Sequence, residues 1–148
     1  MIYIAHLTKR FFSSLARSEV TEAELNMVRS TLSAGEFELW QQFSRADRHH
    51  SVLVATRFIA MRPVASRNEI AGVLLHDIGK IRSNLSTLQR VVATVVGPRT
   101  RRFALYHQHE EIGADMLRNT GSDSEVIAIV NQTCNEDVAA AFRAADNI

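Results

Sequence analysis

The sequence predicts an all-α protein that folds as a single-domain helical bundle. Its 148 residues are enough for one ordinary domain with its own core. Only two prolines and six glycines interrupt the chain, and apolar residues recur at helical rather than alternating spacing. The valine-rich run at residues 91–96 could be a buried strand, but the chain offers no convincing second strand to pair with it. We therefore expect helices joined by short connections.

Capping signals mark the beginning of the predicted bundle. A first helix is expected over residues 2–16. Thr21 with Glu24, and Ser33 with Glu36, are S/T-x-x-E capping boxes, in which each side chain can satisfy a free backbone N–H at a helix start. Each box predicts the start of a further helix.

Proline and glycine set the predicted ends of the helices in the middle of the chain. One helix is expected over residues 46–61, stopping before Pro63, and the next over residues 67–77, closed by Gly79. Five helical segments follow: STLQRVVATVV, stopped by Gly97-Pro98, then TRRFALYH, EEIGADMLRNTG, DSEVIAIVNQT and NEDVAAAFRAAD.

Composition and charge restrict the class of protein. The 17 basic and 16 acidic side chains leave a formal net charge of +1, so no nucleic-acid partner is expected. A single cysteine, Cys134, excludes an intrachain disulfide and a thiolate zinc site. Lys9 and Arg10 lie within the apolar opening, unlike a signal peptide, and no apolar run approaches the ~20 residues of a membrane span. We expect a cytoplasmic protein without a membrane partner.

One carboxylate lies on an apolar helix face. Ile70, Val73, Leu74 and Asp77 stand at i, i+3, i+4 and i+7, which predicts that Asp77 points inward. A buried carboxylate needs a partner, and the dipole at the last turn of a helix disfavours an anion by roughly 0.3–1 kcal/mol. A nearby cation would reverse both penalties.

Three more ligand-type side chains lie on or beside inner faces. His50 is four residues before Val54, His109 leads an apolar stripe, and Asp146 follows Phe142 by four. Taken singly, each has a plain explanation: a hydrogen-bonded core histidine, a solvated terminal aspartate or, for Asp77, an arginine partner.

A shared metal ion accounts for these residues together. Histidine nitrogen and carboxylate oxygen suit first-row divalent ions, whereas the core of a neutral bundle suits neither group. The candidate ligands are His50, His76, Asp77 and Asp146.

These residues make the chain resemble the HD-domain phosphohydrolase superfamily, whose signature is a histidine, an adjacent His-Asp pair and a distant aspartate. The matching segments are DRHHSVLVATRF, LLHDIGK, HEEIGADML and FRAADN. The "HS" pattern of the family favours His50 over His49 as the ligand. The resemblance covers residues 32–148, so residues 1–31 are expected to be an N-terminal helical extension of one HD-type domain.

The resemblance implies one divalent metal ion. Family members with two ions usually carry further histidines after the helix corresponding to SEVIAIV, but residues 131–135 of this chain contain none. Cys134 could replace a missing ligand, and this alternative stays open. The ion could be Mn, Fe, Co, Ni, Mg or Zn, which the sequence does not distinguish.

The resemblance also implies hydrolysis of a small phosphorylated substrate, with a nucleotide as the leading guess, by metal-activated water. Asp77 is expected to take the proton of the water. Lys80 could hold a phosphate oxygen, or simply cap a helix end. His109 is expected to bind substrate or donate a proton.

Several alternatives remain open. Arg99, Arg101 and Arg102 could attract a phosphate or form a solvated face, and helical spacing places Trp40 in the core rather than against a nucleobase. A non-catalytic module that binds a nucleotide or a protein is the main alternative function, and a structural bundle without metal is the third. Because Asp146 lies close to the chain end, a partner subunit could support it, so a homodimer is also expected.

Overall fold

The computed structural model describes residues 19–83 and 108–147, and these ranges contain helices without any strand. The all-α prediction is therefore confirmed. None of the helices in these two ranges is both long enough and apolar enough to cross a bilayer. In chain order, the helices are α1 (Glu22–Thr31), α2 (Ala34–Gln41), α3 (Arg45–Met61), α4 (Arg67–Leu74), a 3-10 helix (Ile78–Ser83), α5 (His109–Thr120), α6 (Ser124–Val130) and α7 (Glu136–Asp146).

Side-chain caps explain where most of these helices begin. Both predicted capping boxes are present, at Thr21 before α1 and at Ser33 before α2. A third box, at Ser66, starts α4. A cap side chain accepts a hydrogen bond from a first-turn N–H that has no partner within the helix, so these short polar residues define the element boundaries.

The helix predicted over residues 67–77 is shorter in the structure, and this prediction was wrong. It ends at Leu74, and residues 75–77 form a turn before the 3-10 helix. The N–H of Ile78 bonds to Leu75 and that of Lys80 bonds to Asp77, each three residues back. Such i to i−3 bonds tighten the chain below 3.6 residues per turn, which the spacing of apolar residues does not reveal. Asp77 nevertheless points inward, with 6% of its surface exposed.

Gly79 does not close a helix, contrary to the prediction. It lies inside the 3-10 helix, where a Cβ atom would be 1.7 Å from the carbonyl oxygen of His109 and 2.8 Å from the N of Gly113. The glycine is needed there because two backbones touch. The left-handed helix cap in this part of the fold is Gly121, with φ 80°, at the end of α5.

The other predicted helices differ little from those observed. The helix predicted over residues 46–61 begins one residue earlier, at Arg45. The three predicted C-terminal helices are confirmed as α5, α6 and α7. The helix predicted over residues 2–16 and the segments STLQRVVATVV and TRRFALYH lie outside the described residues.

Packing around α4 and the 3-10 helix places the site. Helix α4 packs against α3 and α6, α3 also packs against α7, and the 3-10 helix packs against α5. Trp40 is 1% exposed, so its predicted place in the core is confirmed, and its Nε1–H donates to Ser51 Oγ at 2.9 Å. The largest fully buried apolar side chains are Trp40, Phe58, Leu74, Leu75, Ile78, Leu117 and Ile129.

Candidate metal centre

His76 is held in the orientation of a metal ligand. Its Nδ1 lies 2.7 Å from the carbonyl oxygen of Val73, and because a carbonyl only accepts, Nδ1 must carry the hydrogen. In the neutral ring, Nε2 then presents a lone pair. That atom is buried and makes no hydrogen bond to any part of the chain that the structure describes. A buried lone pair without a donor is costly unless a cation binds it.

Three further side chains converge on this nitrogen. His76 Nε2 lies 3.3 Å from Asp77 Oδ2 and 3.6 Å from Asp146 Oδ1, and His50 Nε2 lies 3.2 Å from Asp146 Oδ1. Ligand atoms of His50, His76 and Asp77 all lie within 4.8 Å of one another. The four residues predicted as ligands are therefore neighbours in the fold. Two imidazoles with carboxylate oxygens form a donor set that fits a first-row divalent ion.

The elements that carry these residues come from distant parts of the sequence. His50 lies in the second turn of α3, the His76-Asp77 pair lies in the turn after α4, and Asp146 is the last residue of α7. Packing of α3 against both α4 and α7 brings them together. The ring of Phe142, one turn before Asp146, lies edge-on to His76 with 5.0 Å between centroids and covers one side of the imidazole.

The charges of the site keep Asp77 ionised. Burial alone would raise the pKa of its carboxyl group, but the charges of His76 and Lys80 and a hydrogen bond from His109 hold this pKa well below its usual range. Lys80 Nζ lies 2.8 Å from Oδ2, and His109 Nε2 lies 3.3 Å from Oδ1. The carboxylate therefore has basic groups on both oxygens.

The pKa values of Asp146 and His76 are shifted by their neighbours as well. Burial raises the pKa of Asp146. A hydrogen bond from His50 and the charge of His76 lower this pKa by a larger amount, so the net shift is downward. Burial lowers the pKa of His76, and the charges of Asp77 and Asp146 overcome this effect and raise it. The cluster thus stabilises positive charge at its centre, which a proton on His76 or a bound cation can supply.

A cleft of about 330 Å³ opens beside the cluster. All of the predicted catalytic residues, Asp77, Lys80 and His109, line it. Among the polar lining residues, the sequence patterns had not singled out Glu110, Gln132, Glu136 and Arg143. Arg143 could have been found, since it lies three residues before Asp146 on the same helix. The lining is His76, Asp77, Lys80, His109, Glu110, Ile129, Val130, Gln132, Cys134, Glu136, Ala139, Phe142, Arg143 and Asp146.

Two residues of the segment 131–135 lie along the cleft. Gln132 and Cys134 line it where the sequence lacks the histidines expected for a second ion. Cys134 is half-buried, and burial raises the pKa of its thiol, which makes the thiolate form needed of a ligand less accessible. The expectation of a single ion stays a prediction.

Two other predicted groups are peripheral to the cluster or lie beyond the described residues. His49 is half-buried on α3, beside the predicted ligand His50. The arginines at positions 99, 101 and 102 lie outside the described residues, so their predicted role as a phosphate-attracting cluster stays a prediction.

Comparison with known protein families identified the HD domain. The model of the HD domain family matches residues 48–145, which is more than half of the chain. The match includes His50, His76 and Asp77 and ends one residue before Asp146. No curated protein and no solved structure was found to be similar to the chain.

Proposed function

The chain belongs to the HD domain family, and from this premise we propose that it is a metal-dependent phosphohydrolase that cleaves a phosphate ester of a small molecule. A nucleotide is the leading substrate class. The observation that carries the proposal is the buried Nε2 atom of His76, which faces His50, Asp77 and Asp146 and has no hydrogen-bond partner among the described residues. A divalent cation would bind the lone pair of that atom in the neutral ring, in place of the proton that Asp77 and Asp146 otherwise favour there.

The proposed ligands are His50, His76, Asp77 and Asp146. The pKa values of the Asp77 and Asp146 carboxyl groups are both lowered, which favours the anionic form that a cation needs. A divalent ion bound there would lower the pKa of a coordinated water and polarise a phosphate oxygen. Val73 fixes the His76 ring by accepting its Nδ1 hydrogen, as backbone carbonyls commonly do for metal-bound histidines.

Lys80 and His109 would act on the substrate from either side of Asp77. The ammonium of Lys80, 2.8 Å from Oδ2, is a point charge that can bind a non-bridging phosphate oxygen. The imidazole of His109, 3.3 Å from Oδ1, can donate a proton to the leaving oxygen. Asp77 would orient both groups. The low pKa of Asp77 makes it a better metal ligand than general base, and its predicted role as acceptor of the water proton stays a prediction.

The shape of the cleft supports a small substrate. Its volume of about 330 Å³ is at the lower end of the range for small-molecule sites. Apolar side chains of Ile129, Val130 and Phe142 line it together with the charged groups. A phosphate near Lys80 and an uncharged, partly apolar remainder would match this distribution, and a nucleoside has such a remainder.

The proposal is tested by assaying the purified chain against a panel of nucleoside monophosphates and other phosphate esters while Mn²⁺, Co²⁺, Ni²⁺, Zn²⁺ or Mg²⁺ is titrated. Turnover should depend on the ion and should fall by at least about a hundredfold in His50→Ala, because metal-site residues are commonly worth several kcal/mol. Asp115→Asn, an exposed acid on α5 paired with Arg118, is the matched control and should retain activity.

A non-catalytic binding module is the second candidate function, and the absence of histidine from residues 131–135 favours it. It predicts that the chain binds the ion and a nucleotide without turning over any ester. Ion-dependent turnover that His50→Ala abolishes would exclude this candidate, whereas nucleotide binding without turnover would exclude the hydrolase.

A further inference from the structure

The beginning of α5 lacks the cap that the other helices have. Among the seven α-helices in residues 19–83 and 108–147, six begin with a Thr, Ser, Asp or Asn side chain that accepts a hydrogen bond from the first turn. The exception is α5, whose N-cap residue Gln108 makes no such bond. Its first helical residue is His109, which contacts Asp77. The turn that carries this histidine must therefore be positioned by something other than a cap.

One such contact comes from the 3-10 helix. The backbone at Gly79 lies so close to the carbonyl of His109 that a Cβ atom there would be only 1.7 Å from the oxygen. This contact fixes the turn from one side. The opposite side of the turn faces the cleft, which Glu110 and Gln132 line.

The second contact comes from Gln132, whose backbone is unusual. Gln132 has φ 58°, and no other non-glycine residue in the described part of the chain has a positive φ. It follows Asn131, the C-cap of α6, in the left-handed conformation, with the N–H of Gln132 bonded to Ile129 and that of Thr133 bonded to Ala128. Glycine is the residue preferred at this position, so a glutamine there costs stability.

The Gln132 side chain makes one hydrogen bond that reaches α5. Its Nε2–H donates to Glu110 Oε1 at 2.6 Å, across 22 residues of sequence. Glu110 is the neighbour of His109 in the uncapped turn, and both Gln132 and Glu110 line the cleft. The bond is exposed, so it adds little to the stability of the fold, but it links the end of α6 to the start of α5.

From these contacts we infer that Gln132 is a positioning residue of the catalytic site, which holds His109 in place through Glu110. The inference rests on the proposed function only for the consequence in catalysis. The positioning itself is a property of the folded chain. It explains why a strained glutamine, rather than glycine, follows α6, and why α5 needs no cap at the cleft.

The first test replaces Gln132 by glycine, which keeps the backbone conformation and removes the side chain. The full chain is studied with Zn²⁺ present, by the ring ¹H–¹⁵N resonances of His109, the midpoint of thermal unfolding and the kinetics of ester hydrolysis. The His109 resonances should shift and kcat should fall roughly three- to tenfold, the range expected for one hydrogen bond. The unfolding midpoint should be unchanged or higher, because glycine relieves the positive φ. Unchanged His109 resonances would overturn the inference.

A charge-swapped pair provides the second test. Gln132→Glu alone places two carboxylates against each other and should displace His109. Adding Glu110→Gln restores an amide–carboxylate hydrogen bond in the reverse sense, so the His109 resonances should return to their wild-type positions. A double variant that stays displaced while remaining folded would contradict the inference. If no ester is hydrolysed, the proposed function fails, but the resonances still decide the role of Gln132.

Discussion

Asp77 is the carboxylate around which the basic side chains of the site gather. Its side chain is 8% exposed, yet its pKa lies well below the usual range, because His76, Lys80 and His109 offset the cost of burial. Removing one partner of a buried charge costs much more than the pair contributes, since the remaining charge stays desolvated. The groups around Asp77 are therefore coupled, and a bound cation would change what each contributes.

Lys80→Met should destabilise the metal-free protein by about 1–3 kcal/mol, because the buried carboxylate of Asp77 loses a charged hydrogen-bond donor 2.8 Å away. The loss should be smaller with a divalent ion present, since the ion would supply the missing positive charge. Urea unfolding of wild type and variant, with chelator and with metal, measures both values. If the variant lost the same free energy of unfolding with chelator and with metal, Lys80 would not be coupled to the metal site.

Glu69 gives a pH-dependent contribution that is independent of the metal site. Its carboxylate accepts from Arg62 Nε at 2.8 Å and Nη2 at 3.1 Å, and also caps α4 through the N–H of Ser66. The hydrogen bond from Arg62 lowers the pKa of Glu69 more than burial raises it. Because the pKa of Glu69 is lower in the folded state than in the unfolded state, the ionised group stabilises the fold at pH values above the unfolded pKa near 4.5. This stabilisation is lost as the pH falls through the folded pKa.

Glu69→Gln should therefore be less stable than wild type at pH 7, and the difference should shrink as pH falls below about 4.5. The measurement is the free energy of unfolding in urea for both proteins at several pH values between 7 and 3. Comparing the two proteins cancels the titration of the other carboxyl groups. A difference that grows toward acid pH would contradict the assignment.

The contact between the 3-10 helix and α5 sets the geometry of the site at the level of whole elements. Gly79 meets the backbone of His109 and Gly113, and Gly113 in turn packs against Ile78, where a Cβ atom would lie 3.0 Å from Cγ2. Because both sides of the contact are largely backbone, neither can yield by changing a rotamer. Lys80 and His109, the two groups beside Asp77, are carried by these two elements.

Gly79→Ala should cost about 2–3 kcal/mol or more of stability and should weaken metal binding, because the 3-10 helix must move away from α5. Gly121→Ala is the matched control: it meets nothing within 4 Å, but its φ of 80° is unfavourable for alanine, so only about 1 kcal/mol should be lost and metal binding kept. Thermal unfolding and metal titration compare the two. Equal losses of stability and of metal binding in the two variants would show that the close approach of Gly79 to the His109 backbone does not matter.

Two helix caps and the inward direction of Asp77 were predictable from sequence, but the geometry between these elements was not. Ser33 with Glu36 marks a helix start by itself, and the inward direction of Asp77 followed from its spacing after Ile70. The end of α4 at Leu74 depends on three-residue hydrogen bonds and on backbone contact at Gly79, which apolar spacing does not encode. The left-handed conformation of Gln132 had no signal, since glutamine carries no preference for it.

The proposed ion would connect parts of the whole molecule. His50 on α3, the pair after α4 and Asp146 at the end of α7 meet at one point, although residues 50 and 146 are 96 positions apart. A ligand that binds only the folded state stabilises it by mass action. The effect would reach the last turn of α7, where a helix end otherwise frays.

Saturating the protein with metal at about 100 times the dissociation constant should therefore raise the unfolding midpoint by roughly 5–10 °C, from about 2.7 kcal/mol of binding linkage. Chelator should reverse the change. Asp146→Ala should show a much smaller shift, because the ligand from α7 is lost. Calorimetry of the two proteins with and without the ion measures this, and an equal shift in both would exclude Asp146 as a ligand.

The metal content of purified protein tests the central claim most directly. Elemental analysis would compare wild type with His76→Ala, Asp77→Ala and the neighbouring control His49→Ala, after reconstitution with each candidate ion. We predict close to one ion per chain in wild type and in His49→Ala, and almost none in His76→Ala and Asp77→Ala. Wild type without metal after reconstitution, or metal retained when His76 and Asp77 are removed, would contradict the account.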